Sequence, residues 1–257
     1  FLDDPGAGGR LVIGPDGMPQ QNGTAEYPFV VNIPRNASPD NPMRPLQYGH
    51  GLLGDRLQGN AGWLAEFGNE NGFVPFATDW SGMASEDVGP ITVALANGSL
   101  QDFATVPERL HQGVVNALLA MRMMLGGFGE HPDVQVDGQS VIDTSAGFYT
   151  GDSQGGIFGG TYMALSTDVT RGILGVPGQP YALLLDRSTN FDPYRVLMRQ
   201  TFDEGVEIQL GIHYIQLLWD RAEPGSYTRF IENDPLPDTP SHRVILQVAP
   251  RDPQAPP

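Results

Sequence analysis

The run Tyr149-Thr150-Gly151-Asp152-Ser153-Gln154-Gly155-Gly156 sets one serine among small residues in a G-x-S-x-G pattern. This spacing suits a serine at a sharp turn from a strand into a helix, where bulky flanking residues would keep the two backbones apart. The chemistry on offer is nucleophilic attack by the Ser153 hydroxyl. Two glycines in five residues are a weak signal in a chain with 33 of them, so the flanks carry the case. Upstream, Ser145 to Thr150 is short, apolar and aromatic, as a buried strand is. Downstream, Ile157 to Leu165 can continue as a helix whose glycines allow close approach to a sheet.

The other residues able to do chemistry are spread along the chain. His50 and Gly51 lie in Gly49-His50-Gly51-Leu52-Leu53-Gly54, just past the short strand 44–48. Asp252 follows the strand-like run 242–249, and Asp186 follows Leu183-Leu184-Leu185 in a segment that reads as a strand. The five histidines, His50, His111, His131, His213 and His242, form no H-x-x-x-H pair and there is no cysteine, so no metal site is expected. Asp133, Asp137 and Asp143 lack calcium-loop spacing and read as turn residues around Asp137-Gly138.

These residues need elements to hold them. Segments 10–13 and 27–33 read as an antiparallel entry to a sheet, followed by strands at 44–48 and 72–78 with a helix over 61–69 between them. Thr105-x-x-Glu108 has the form of a capping box. It precedes apolar Leu110, Val114, Leu118, Met121 and Leu125 at helical spacing, until Gly126-Gly127 stops the helix. After the serine come strand segments at 173–176 and 181–185, a helical region from about 193 to 219, and the strand 242–249. Alternating strands and helices imply a mainly parallel sheet covered on both faces, with functional residues at the carboxyl ends of strands. His50-Gly51, Ser153 and Asp252 all fall at such ends.

On these residues the chain resembles the α/β-hydrolase superfamily, specifically its serine esterases and lipases with an HG-type oxyanion loop. The resemblance rests on Gly49-His50-Gly51-Leu52-Leu53-Gly54, Gly151-Asp152-Ser153-Gln154-Gly155 and Asp252, and spans nearly the whole chain. It implies an α/β-hydrolase fold in which Ser153 attacks an ester carbonyl and the backbone N–H groups of Leu52 and Gln154 form the oxyanion hole. His50 and Gly51 then support the loop, His50 by hydrogen bonding and not as the base. The acid is Asp252, with Asp186 as the alternative. Family order places the histidine after the acid, and none follows Asp252. The expectation is therefore a catalytic histidine outside these 257 residues, in a chain interrupted before its last strand. Domain organisation follows as a hydrolase core over 1–189, a helical cap or lid insertion over 190–231, and the core resumed over 232–257.

Composition narrows the partners. A net charge of −16 with no lysine argues against nucleic-acid phosphates, and no apolar run is long enough to span a membrane. A small, neutral or apolar ester is the expected substrate, with no cofactor; the alternatives are a peptidase or amidase of the same fold, and a non-catalytic binding protein that lacks the catalytic histidine. The chain opens on Phe1-Leu2-Asp3-Asp4 with no initiator methionine or signal peptide, as a mature form, a domain or a fragment would. Localisation is not fixed by the sequence, and a secreted or periplasmic place is compatible with it.

Overall fold

The computed structural model describes residues 1–256. Its six-stranded sheet comprises β1 (Phe29–Val31), β2 (Arg44–Gly49), β3 (Phe73–Thr78), β4 (Gly147–Asp152), β5 (Val169–Gly175) and β6 (Arg243–Gln247), in the order β1-β3-β2-β4-β5-β6. β1 runs antiparallel to β3, and every other pairing is parallel. The registers Gly49↔Gly151, Asp152↔Gly175 and Gly175↔Gln247 bring the carboxyl ends of β2, β4, β5 and β6 to one level.

Alternation along the strands separates two faces. Leu46, Tyr48 and Ala77 pack with Leu64 of α1 (Gly62–Asn71), whereas Val74, Phe76 and Tyr149 join the larger core beneath α3 (Thr105–Met124) and α4 (Gln154–Leu165). α2 (Val88–Ala96), α5 (Tyr181–Arg187), α6 (Asp192–Met198) and α7 (Gly205–Trp219) complete the helices used below. A mainly parallel sheet with helices on both faces is the expected α/β architecture, and its strand order is consistent with an α/β-hydrolase fold. β6 is an edge strand, and Ile245, Leu246 and Val248 stand exposed on it or just past it.

Several local expectations are corrected. Segment 181–185 is the start of helix α5, not a strand: a short apolar run fits either element, and here Tyr181, Ala182 and Leu184 turn inward at helical spacing. Residues 10–13 form only isolated bridges, Leu2–Leu11 and Ile13–Pro19, so β1 alone makes the antiparallel entry. The region 193–219 divides into α6 and α7. The capping box at Thr105 does not form, because Thr105 is already helical and the Glu108 carboxylate is taken by Arg10 and by the Leu11 N–H.

Candidate active site

Ser153 sits between β4 and α4 with φ 55° and ψ −119°, a conformation that costs a non-glycine residue roughly 1–3 kcal/mol. The glycines around it make that turn possible. A Cβ on Gly155 would lie 2.0 Å from the Gly49 carbonyl oxygen, and one on Gly156 2.1 Å from that of Gly175. Bare backbone at these positions lets α4 begin directly against β2 and β5. The Ser153 N–H donates to Gly175 O at 2.9 Å, and the buried Tyr149 hydroxyl donates to Gly155 O at 2.6 Å, tying the strand to the first turn of the helix.

The second element is the loop after β2. His50 is fully buried, and its tautomer follows from its partners. The Trp80 N–H can only donate, so Nε2 accepts it at 2.9 Å. Gly51 O can only accept, so Nδ1 carries the proton and donates at 2.9 Å. Burial also holds the imidazole below the usual histidine range, so it stays neutral and both nitrogens remain committed to the loop. Three of the four amides from Gly51 to Gly54 have protein acceptors: Gly51 N–H donates to Gln58 Oε1, Leu53 N–H to Gln154 Oε1 and Gly54 N–H to Gly51 O. Among the described residues nothing accepts from the Leu52 N–H. Gln154, as the first residue of α4, has no intrahelical acceptor for its own N–H.

Ser153, Leu52, Leu53 and Gln154 line one cavity of about 60 Å³. Ile91 and Leu95 of α2, Phe103, Tyr181 and Leu184 of α5, and Ile215 and Trp219 of α7 supply most of its apolar wall. Tyr181 stacks on Trp219 with ring centroids 4.4 Å apart, and Phe103 meets Trp219 edge-on at 5.1 Å. The few polar lining residues include Ser188, Asn190 and Gln254. An apolar space beside a serine with unaccepted amides nearby suits a reaction in which negative charge develops on an oxygen.

The remaining sequence candidates lie elsewhere or play other parts. Asp252 belongs to the segment after β6. Its Oδ1 accepts the N–H groups of Gln254 and Ala255, at 2.8 and 3.1 Å, and those two residues line the cavity although Asp252 does not. Asp186 is on helix α5, paired with Arg195 at 3.0 Å and outside the cavity lining, so it does not occupy the strand-end position expected of it. None of the five histidines lines the cavity. His213 is exposed on α7, with Nδ1 2.8 Å from Gln209 O, and His242 is buried between the carbonyls of Ile231 and Ser166. Among the described residues no cluster of three or more acidic or histidine side chains could hold a metal, and no helix is long and apolar enough to cross a membrane.

Two contributions were not read from the sequence. One is the wall built by α2 and Phe103, for which the apolar run Val88–Ala96 was the available signal. The other is the Gln154 side chain, whose only signal was a large amide among glycines.

The sheet order, with Ser153 at the turn from β4 into α4, is consistent with an α/β-hydrolase fold. No protein-family model matches the chain, and no curated protein does. Among solved structures it is similar to acetyl xylan esterase 1 from Thermoanaerobacterium sp., at 14% identity and a TM-score of 0.45, covering 81% of this chain and 69% of that one. It is also similar to an acetyl xylan esterase from Paenibacillus sp., at 14% identity and 0.45, covering 92% and 75%. A third is the acylaminoacyl peptidase of Pyrococcus horikoshii, at 11% identity and 0.45, where 88% of this chain spans 30% of that one. At these identities and scores the roles of individual residues follow only from the geometry of the site.

Proposed function

We propose that the chain belongs to a serine hydrolase that cleaves small, neutral or apolar carboxylic esters through an acyl-enzyme intermediate. The observation that carries this is Ser153, held at positive φ on an apolar cavity beside the one amide of the Gly51–Gly54 loop, that of Leu52, left without an acceptor among the described residues. In the first step the Ser153 Oγ bonds to the ester carbonyl carbon, the π pair moves to the carbonyl oxygen, and the Leu52 and Gln154 N–H groups stabilise that oxyanion. The serine proton passes to a base and then to the departing alcohol as the C–O bond breaks. Water repeats the sequence on the acyl-enzyme and releases the acid.

With none of the five histidines at the cavity, this reading takes its base from outside these 257 residues. Asp252 is the acid of this reading, since its Oδ2 has no partner among the described residues. The open edge of β6 is where a further strand bearing a histidine would attach. Residues 190–231 form the cap over a core made of 1–189 and 232–257, and α5 and α2 share in its wall.

The absence of a histidine at the cavity favours one second reading, a non-catalytic binding protein of the same fold. Hydrolysis of p-nitrophenyl acetate and butyrate by the full-length protein decides between them. Turnover that disappears in Ser153→Ala supports the hydrolase, while turnover retained in that variant, or none in the wild type, overturns it.

A further inference from the structure

We propose that the side chain of Gln154 is a positioning residue that fixes both loops flanking Ser153 and so presents the Leu52 amide, an inference that rests on the serine-hydrolase reading above. Gln154 is 1% exposed, and its carboxamide is spent on two backbones. Oε1 accepts the Leu53 N–H at 3.3 Å, and Nε2 donates to Met83 O at 2.8 Å. A planar amide offers an acceptor and two donors from a single end, which a carboxylate, a hydroxyl or an ammonium of similar reach does not.

The two anchors differ in rigidity. Met83 lies in a loop that is independently fixed, because Asp87 Oδ2 accepts the N–H groups of Gly82 and Ala84 while Oδ1 accepts from the buried Arg109 guanidinium. Leu53 sits at φ 47°, in the left-handed region that a leucine occupies only where its surroundings hold it. Gln154 therefore acts as a strut from the fixed loop to the strained one. What it holds in place is the peptide next to Leu52, whose N–H is the free donor of the loop. The same residue thus serves the oxyanion through its own main chain and, through its side chain, by orienting the second donor.

The test uses the full-length protein with Gln154→Glu and Gln154→Met. In Gln154→Glu the ionised carboxylate still accepts from Leu53 but faces Met83 O with lone pairs, whereas the protonated acid restores a donor. The ratio of Gln154→Glu kcat to wild-type kcat on p-nitrophenyl acetate should therefore rise at least about tenfold as pH is lowered from 8 to 5, with KM little changed. His50 and Asp55 on one loop, Asp79, Glu86, Asp87 and Arg109 on the other, and Asp152 on β4 are common to both proteins, so the part of their titration that does not depend on residue 154 cancels in the ratio. Gln154→Met keeps side-chain length and should be slow at every pH. In it, hydrogen exchange of the Leu53 amide should lose protection. A flat ratio together with unchanged Leu53 protection overturns the inference. A wild type that hydrolyses no ester overturns the serine-hydrolase reading instead, and the exchange measurement still decides whether Gln154 holds the loop.

Discussion

Replacing Gly155 by alanine puts one methyl group where the elbow has no room. Its Cβ would stand 2.0 Å from the carbonyl oxygen and 2.4 Å from the carbonyl carbon of Gly49, so relief requires a shift of roughly 1 Å or more to reach van der Waals separation. Neither side can supply it by rotating a side chain, since the obstacle is backbone at the end of β2, a strand paired on both edges by β3 and β4. Overpacking of this kind costs about 3 kcal/mol, the upper part of the usual range, because no rotamer relieves it. In a chain of this size that corresponds to a fall in melting temperature of roughly 6–12 °C. Gly62→Ala provides the matched control: its Cβ meets nothing within 4 Å outside its chain neighbours and it is exposed at the start of α1, so it should raise stability by about 0.5 kcal/mol. Thermal unfolding by circular dichroism compares the two. If Gly155→Ala melts with the wild type, α4 does not begin against β2 as described, and the steric account of the elbow fails.

Other outcomes follow from the same structure. Arg109→Met leaves the Asp87 carboxylate buried and unpaired and should cost about 3–5 kcal/mol in urea unfolding; a loss below about 1 kcal/mol would deny the pair its role. Burial raises the Glu223 carboxyl to about 7, so the folded state keeps a proton that the unfolded chain releases from about pH 4.5 upward. Stability from this group is therefore lost as pH rises from about 4.5 to 7, and Glu223→Gln, which keeps an acceptor for the Tyr181 N–H, should gain on the wild type across that window. A constant difference in melting temperature would contradict the assignment. Phe103, with Leu95 and Ile215, separates the serine cavity from a smaller one behind it lined by Gly98, Met198 and Phe202. Phe103→Ala should join them and move p-nitrophenyl ester preference toward longer acyl chains, whereas an unchanged chain-length profile would show that the acyl group does not point there.

The elbow was legible because its demands are local. Gly151, Gly155 and Gly156 are small for steric reasons settled by the backbones that meet at Ser153, and the strand and helix on either side carry their own apolar patterns. The long helix was legible from its periodicity, but its start was not. Glu108 is drawn to Arg10 and Leu11, nearly a hundred residues away, and no local rule anticipates that competition. Tyr181 to Leu185 failed for a different reason: three consecutive leucines satisfy a buried strand and a buried helix equally, and packing of α5 against α7 decided it. The free amide of Leu52 emerges only from the accounting of its neighbours, two of which donate to glutamines brought in from other elements. Asp252 could be placed past the last strand, but the turn it caps, which carries Gln254 and Ala255 to the cavity, depends on contacts with Ser188 and Thr189.

The central claim is that Ser153 is the nucleophile. Reaction of the full-length protein with a fluorophosphonate probe, followed by mapping of the adduct by tandem mass spectrometry, tests it directly. The label should fall on the Ser153 peptide and be abolished in Ser153→Ala; a probe that fails to attach, or attaches equally to that variant, would contradict the account.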